Sequence, residues 1–288
     1  KVSGIINGTT NYILSRMDKE GVNYADVLKD AQELGYAESD PAADVEGSDA
    51  ADKIAILSGL AFGGAINRSK IPTTGINLLE SVDVNYARKL GYGIKLLAIS
   101  EKDKSPSKTE GSQPLSIWVE PTLVPEDNPL AGVNGVNNAI LVEGNPIGQV
   151  MFFGPGAGSG PTASAVVADI LNIAGIQSMS EDNIFNLDPL LSAKSWRNCH
   201  IAEKKQITKK NYIRLIAKDS PGVIGEIGTI FGQKKISIES IVQFDVTDEE
   251  AEIVVITHKI KQGQLEEALL DIKKLSQVKR IAATMGCL

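Results

Sequence analysis

The sequence predicts an α+β chain of two parts: an open sheet with helices on one face, followed by a small module with the element order βαββαβ. Helical periodicity dominates residues 11–62, strand patterns dominate residues 92–153, and six short segments fill residues 211–288. Helices and strands that are segregated along a chain indicate an α+β fold. The length of 288 residues also favours two domains, each with its own core.

The composition is that of an ordinary globular protein, with 42% hydrophobic and 23% charged residues. No apolar run approaches the ~18–20 residues of a membrane-spanning helix, so no membrane partner is expected. Two Cys and two His are too few for a disulfide framework or a structural zinc site, which predicts a reducing, cytoplasmic setting and no metal. The net charge of −7 disfavours binding to nucleic acid.

The first part begins with a strand at residues 2–6 and continues as a series of helices. Asn7-Gly8-Thr9-Thr10 is a turn that can cap the first of them. The predicted helices lie at residues 11–19, 24–34 and 49–62.

Strands then replace helices, separated by clusters of Pro, Asn and Gly. They are predicted at residues 94–99, 115–119, 139–142 and 147–153. The Gly-rich stretch 154–160 follows, and Pro161 starts a helix that reaches about Ala174.

Residues 192–210 are polar and lack periodicity, so we predict a linker there between a first domain at 1–191 and a second at 211–288. The second domain contains strands at 212–217, 236–244, 252–257 and 278–284 and helices at 221–232 and 264–275. This βαββαβ order is the ferredoxin-like plan.

The segment 31–53 is the most informative stretch of the sequence. Seven acidic residues fall between positions 33 and 52 with no Lys or Arg among them, and Lys53 follows. Asp49 and Lys53 are four apart, so they share one face of a helix. The segment can be a solvated acidic loop, a polar site that seats a ligand ammonium between carboxylates, or a divalent-cation site. Lys53 counts against the last of these.

This segment resembles, without a gap, the signature of the homoserine dehydrogenases. Residues 3–14 are similar to the segment that opens the catalytic region of that family, and the resemblance covers residues 1 to about 190. It implies NAD(P)-dependent interconversion of L-homoserine and L-aspartate 4-semialdehyde, in threonine and methionine biosynthesis. The runner-up is an amino-acid-sensing regulatory protein with an inactive enzyme-like half.

The resemblance also assigns roles to four side chains. It implies that Lys53 is the catalytic lysine, that Glu38 and Asp49 bind homoserine, and that Asp44 helps to shape that site. In the reducing direction a charged lysine can stabilise the new alkoxide and donate a proton to it.

The Gly-rich stretch lies between a strand and a helix, where backbone N–H groups favour an anion. A tight strand-to-helix turn is the commoner reason for such glycines, and the spacing differs from the dinucleotide fingerprint G-x-G-x-x-G. The resemblance implies that this turn lies against the nicotinamide cofactor, with Gly158 and, less firmly, Gly156 as contacts.

The stretch Asp219-Ser-Pro-Gly222-Val223-Ile224 resembles the ligand-binding turn of ACT domains, and that resemblance covers residues 211–288. A turn of this kind presents free N–H groups at a helix start, which suits an amino-acid carboxylate. A simple capped turn that binds nothing is the alternative. The resemblance implies threonine as a feedback effector that contacts Asp219, Gly222, Val223 and Ile224.

A homoserine dehydrogenase also needs a Rossmann unit, and the chain, which begins at Lys1, contains no such fingerprint. We therefore expect the NAD(P) cofactor to be bound mostly by an N-terminal domain that is missing here, and this chain alone to be inactive. The helix at residues 161–174 is then expected to expose apolar surface. The family resemblance further implies a homodimer or a higher homo-oligomer.

Overall fold

A computed structural model of the protein describes residues 1–103, 114–178, 197–247 and 250–288. Its helices are α1 (Gly8–Glu20), α2 (Tyr24–Glu33), α3 (Ala42–Val45), α4 (Ser48–Phe62), α5 (Ser81–Lys89), α6 (Ser159–Gln177), α7 (Val223–Gln233) and α8 (Gln262–Ile272). Its strands are β1 (Val2–Ile5), β2 (Gly64–Ala65), β3 (Tyr92–Lys102), β4 (Leu115–Pro125), β5 (Asn137–Gly144), β6 (Gly148–Pro155), β7 (Arg197–Asn198), β8 (Thr208–Lys218), β9 (Ile238–Thr247), β10 (Glu250–Thr257), β11 (Ile260–Lys261) and β12 (Val278–Cys287).

One large sheet runs through both predicted domains in the order β6-β5-β1-β3-β4-β12-β8-β10-β9. All neighbours in this order are antiparallel except β4 and β12, which are parallel and pair Gly286 with Thr122 and Cys287 with Leu123. The sequence analysis predicts a separate sheet for each part. In the structure, pairing between β4 and β12 joins the two sheets, and this long-range contact leaves no local sequence pattern.

The first domain carries its helices on one face of the sheet, as predicted. Residues from α1, α2, α4 and α5 share one core with the inward-facing side chains of β3 and β4. This core includes Ile13, Val27, Ile54, Val84, Ile94 and Val119. A smaller cluster on the opposite face is closed by the loop that follows β4, through Leu130 and Val133.

The second domain has the predicted βαββαβ order, and α7 and α8 cover one face of its sheet. The other face packs against α5 of the first domain, where the rings of Tyr86 and Phe244 stack with centroids 4.0 Å apart. The second sheet is therefore covered on both sides, which fixes it against the first domain.

Several element limits differ from those expected. Helix α1 begins at Gly8 rather than residue 11, because the Asn7 side chain accepts a hydrogen bond from Thr10 N and caps it. One turn of helix, α3, lies within the acidic segment, and α5 was not predicted.

Strand β8 begins at Thr208, inside the expected linker 192–210, of which residues 192–196 lie outside the described residues. The described remainder packs beside β4, because Leu115 N donates to His200 O and Ala202 N donates to Leu115 O, both at 2.8 Å. The domain limits remain a prediction.

Helix α6 lies on the surface with its apolar side chains uncovered, as expected for residues 161–174. Five of them are more than half exposed: Val166, Val167, Ile170, Leu171 and Ile173. Across the described ranges, no helix is both long and apolar enough to cross a membrane.

Candidate active site

Asp49 and Lys53 form an ion pair on one flank of α4. The adjacent face of this helix buries Ala50, Ala51 and Ile54, whereas the side chains of Asp49 and Lys53 stay partly exposed. Lys53 Nζ lies 2.7 Å from Asp49 Oδ2 and also donates to Ile6 O at 3.2 Å. The predicted i,i+4 pair is therefore present, at the point where β1 ends.

Asn7 connects this pair to the acidic segment. Its Nδ2 donates to Asp44 Oδ1 at 2.6 Å and to Asp49 Oδ2 at 2.9 Å, while its Oδ1 caps α1. The sequence indicated Asn7 only as a turn residue. The spacing of 37 and 42 residues to its carboxylate partners explains why no local pattern revealed this role.

Glu38 does not join this cluster. It lies exposed after α2, and its backbone carbonyl accepts a hydrogen bond from Gln32 Nε2 at 3.1 Å. Its carboxylate forms no hydrogen bond or ion pair with any described residue. Asp44 and Asp49 are thus brought together with Lys53, whereas Glu38 remains free for a ligand or for solvent.

The divalent-cation interpretation of the acidic segment finds no support in the described residues. No group of three or more His, Cys, Asp or Glu side chains there is placed to hold a metal ion. The close partners of Asp44 and Asp49 are instead N–H donors from Asn7 and Lys53.

A cleft of about 460 Å³ opens beside Lys53. One wall is α4 and the other is the β5–β6 hairpin with the start of the Gly-rich turn. The residues that line it are Ile6, Lys53, Ile56, Leu57, Asn138, Ala139, Ile140, Phe152, Phe153, Gly154, Pro155 and Gly156. It is therefore an apolar slot with an ammonium group and a side-chain amide along its walls.

The two predicted glycine contacts lie in different places. Gly156 lines the cleft, and a Cβ atom at this position would stand 1.7 Å from Asn138 Nδ2, so a larger residue would have to displace the Asn138 amide. Gly158 is the residue that precedes α6, with φ +118°, and is not among the residues that line the cleft.

The predicted effector turn lies at the start of α7. Gly222 precedes the helix with φ +96°, Val223 is buried, and Ile224 is 39% exposed. The Asp219 carboxylate accepts a hydrogen bond from Gln243 Nε2 at 3.0 Å, which ties the turn to β9. The helix start expected from the sequence is thus present, while Val223 N donates to Ser220 O at 3.5 Å and the Asp219 carboxylate faces the neighbouring strand.

Family comparison finds two matching domain models. Residues 1–171 match the homoserine dehydrogenase model and residues 211–277 match the ACT domain model. The first match covers more than half of the chain.

Among curated proteins, a homoserine dehydrogenase of Synechocystis sp. is 50% identical over 287 residues, which are 100% of this chain and 65% of that protein. A homoserine dehydrogenase of Neisseria gonorrhoeae is 42% identical over 97% of this chain and 62% of its own length. The chain thus spans a little under two thirds of the relatives that it matches.

Solved structures give the same result. A homoserine dehydrogenase from Thiobacillus denitrificans is similar with a TM-score of 0.88 and 37% identity, over 100% of this chain and 63% of that one. The enzyme from S. aureus is similar with a TM-score of 0.71 and 30% identity, over 100% of this chain and 65% of that one.

Proposed function

The chain belongs to the homoserine dehydrogenase family, and from this membership we propose that it supplies the substrate site of an NAD(P)-dependent enzyme that interconverts L-homoserine and L-aspartate 4-semialdehyde. The observation that carries the proposal is the position of Lys53, held by Asp49 beside a cleft lined by the Gly-rich turn. This activity is proposed for the complete protein that contains the chain, because the chain spans 65% of its Synechocystis relative.

Lys53 has the donors that the reaction requires. An ammonium group carries three N–H donors. Two of them are used by Asp49 Oδ2 and Ile6 O, which leaves one for a ligand. The side chain is 48% exposed, so a bound substrate can reach it.

The substrate amino group is proposed to bind among Glu38, Asp44 and Asp49. Asp44 Oδ2 and Asp49 Oδ1 have no partner among the described residues, and neither has the Glu38 carboxylate. Carboxylate oxygens are strong acceptors for an ammonium group. Asn7 holds two of these carboxylates in place before the substrate arrives.

In the reducing direction, Lys53 is proposed to hold the proton that the product oxygen needs. A reduced nicotinamide cofactor, when bound, would supply the hydride that the aldehyde carbon accepts. As charge develops on the aldehyde oxygen, the ammonium group stabilises it and transfers a proton to it. In the oxidising direction the same nitrogen must first lose that proton and then accept the one on the homoserine hydroxyl.

The shape of the cleft supports a nicotinamide group at its Gly-rich end. Phe152 and Phe153 are 63% and 58% exposed, and they offer apolar surface to a flat ring. The absence of a side chain at Gly156 makes room for the Asn138 amide at this end of the cleft. Gly156 is proposed as a cofactor contact, with Gly158 close behind it at the start of α6.

The ACT domain is proposed to bind an amino acid, with threonine as feedback inhibitor. The support is the match to the ACT model and the turn of Asp219, Gly222, Val223 and Ile224 at the start of α7. Backbone N–H groups at a helix start favour a carboxylate. Isothermal titration of the purified protein with threonine measures this directly, and no heat with threonine or other amino acids would count against it.

A homodimer or higher homo-oligomer is proposed for the cytoplasmic enzyme, which would act in threonine and methionine biosynthesis. Strands β6 and β9 form the two ends of the large sheet, and an unpaired strand edge can pair with another chain. Light scattering on the purified protein measures the oligomeric state.

The decisive experiment is an assay of the complete open reading frame that carries this sequence, beside the 288-residue chain alone. We expect the complete protein to reduce NAD or NADP with homoserine and to oxidise the reduced cofactor with aspartate semialdehyde. A folded complete protein that binds an amino acid but turns over neither substrate would refute the enzyme proposal and support the amino-acid sensor.

A further inference from the structure

Asn138 lies at the Gly-rich end of the cleft, and its carboxamide has no hydrogen-bond partner among the described residues. It lies on β5, opposite Gly154 of β6, and it lines the cleft together with Lys53. Its Oδ1 is buried and has no hydrogen-bond partner. No described residue hydrogen-bonds its Nδ2 either, although that atom lies against Gly156.

An unpaired buried amide needs an explanation, because most buried polar side-chain atoms in proteins have a partner. The free oxygen destabilises the fold unless some other molecule satisfies it. Rotation about the Cβ–Cγ bond exchanges the two ends of the amide. Asn138 can therefore present either a donor or an acceptor to a ligand in the cleft.

The backbone that carries Asn138 is fixed from two sides. Lys95 Nζ donates to Val133 O at 2.6 Å and to Asn134 Oδ1 at 2.9 Å, while Asn11 Nδ2 donates to Val133 O at 3.2 Å and to the adjacent Asn137 O at 2.9 Å. A site built on a supported strand places its polar groups precisely. The amide is thus held at the cleft by structure that lies outside it.

We propose that Asn138 is a further ligand-positioning residue, and that its carboxamide hydrogen-bonds the carboxamide of the nicotinamide group bound in this cleft. The remaining walls near it are apolar, so a flat ring with one primary carboxamide matches the cleft in both respects. An amide pairs well with another amide, since each has one donor and one acceptor side. This inference rests on the proposed dehydrogenase function.

The test compares Asn138→Ala and Asn138→Asp with Asn137→Ala in the complete enzyme. Asn137 is the matched control: it is the adjacent residue on the same strand, and its side chain bonds Asn134 O outside the cleft. For each variant, the Kd is measured by isothermal titration and the KM by assay, with the natural cofactor and with two analogues. The 3-acetylpyridine analogue lacks the amide N–H donors, and the thionicotinamide analogue replaces the carbonyl oxygen with sulfur, a weak acceptor.

We expect Asn138→Ala to raise the KM for the natural cofactor about tenfold, to leave the KM for homoserine within about twofold, and to discriminate less between the cofactor and the analogues. Asn138→Asp replaces the N–H donor with a charged carboxylate oxygen and keeps an acceptor, so it should lose only the preference for the natural cofactor over the thionicotinamide analogue. If Asn138→Ala fails to fold, Asn138→Asp still tests whether the Asn138 amide contacts the cofactor. Asn137→Ala should behave as the wild type.

Equal losses with all three cofactors would overturn the inference and leave Asn138 a structural residue. An unchanged cofactor KM in a folded Asn138→Ala enzyme would do the same. In both cases the wild-type enzyme is active, so the proposed function survives. An inactive wild-type enzyme would instead refute the proposed function, and this inference with it.

Discussion

Arg214 of β8 and Asp83 of α5 form a bidentate ion pair across the interface between the two domains. Arg214 Nε lies 2.7 Å from Asp83 Oδ1, Arg214 Nη2 lies 3.0 Å from Asp83 Oδ2, and both side chains are fully buried. Glu80 and Glu252 also accept from this guanidinium, at 2.8 and 3.2 Å. Burial alone lowers the pKa of Arg214, but hydrogen bonds and charges from Asp83, Glu80 and Glu252 outweigh it and raise the pKa.

Arg214→Met should strongly destabilise the chain, because it leaves the Asp83 carboxylate buried without its cation. The loss of one partner of a buried pair typically costs about 3–5 kcal/mol. Urea denaturation followed by circular dichroism measures this. Since the pair joins α5 to the second sheet, we also expect the two domains to unfold less cooperatively.

Arg280→Met is the matched control for Arg214→Met. Arg280 contacts Glu80 Oε1 at 3.5 Å, but its side chain is 53% exposed. An exposed pair contributes about 0–1 kcal/mol. Similar losses for the two variants would contradict the view that the buried pair holds the domains together.

This interface marks the limit of what the sequence predicts. The strand itself is predicted at residues 212–217, and Ile213 and Leu215 pack beneath α7 and α8. Tyr212 and Arg214 on its other face are buried as well, because α5 covers that face. The partner Asp83 lies 131 residues away from Arg214 along the chain. Pairings of such long range leave no local signal.

In the acidic segment 31–53, by contrast, the local sequence does predict a contact that the structure contains. The Asp49–Lys53 pair follows from helical spacing alone, and the structure contains it. Asn7 and Asn138 could not be found in this way, because their roles depend on contacts with Asp44, Asp49 and Gly156 from distant elements. Sequence reasoning thus identified the charged side chains and missed the amides between them.

Lys53→Ala in the complete enzyme should abolish most turnover and leave the fold intact. A group that donates a proton in the transition state contributes typically 10²–10⁴-fold, so we expect kcat to fall by about that factor. The ion pair is partly exposed, so the free energy of unfolding should change by only about 0.5 kcal/mol.

Lys29→Ala provides the comparison for Lys53→Ala. Lys29 also forms an i,i+4 pair, with Glu33 on the surface of α2, although the order of acid and lysine is reversed, and its side chain is 77% exposed. The kcat of the Lys29→Ala enzyme should equal that of the wild type. A Lys53→Ala enzyme with unchanged kcat would remove this lysine from the mechanism.

Asn7→Ser should separate the two roles of Asn7. Serine can still cap α1, so the cap should persist, but the hydrogen bonds to Asp44 and Asp49 are lost. Hydrogen bonds to charged groups stabilise a fold by about 1.5–3 kcal/mol, so the free energy of unfolding should fall. Because the two carboxylates are then no longer held in place, kcat/KM for homoserine should also fall, by about tenfold.

Asn7→Ala loses the helix cap as well as these hydrogen bonds. The lost cap should lower its free energy of unfolding by about 1 kcal/mol relative to Asn7→Ser. If Asn7→Ser and the wild type have the same kcat/KM, the amide bridge between the two carboxylates has no role in substrate binding.

Lys95 should give the fold a pH dependence at alkaline pH. Burial lowers the pKa of its ammonium group from 10.5 to about 8, and the charge of Asp18 opposes this only in part. The folded chain then binds fewer protons than the unfolded chain between about pH 8 and 10.5. The free energy of unfolding therefore gains a contribution that rises with pH in that window.

This contribution should be absent from Lys95→Met. Each unit of pKa shift corresponds to about 1.4 kcal/mol, so between pH 8 and pH 10.5 the wild type should gain up to about 3 kcal/mol relative to Lys95→Met. Urea denaturation at pH values across the window measures the difference. Lys102→Met, an exposed substitution on the same strand, should keep the wild-type slope. If the free energy of unfolding depends on pH in the same way in Lys95→Met and Lys102→Met, other groups cause the alkaline dependence. Burial of the charged Lys95 ammonium group then does not destabilise the fold.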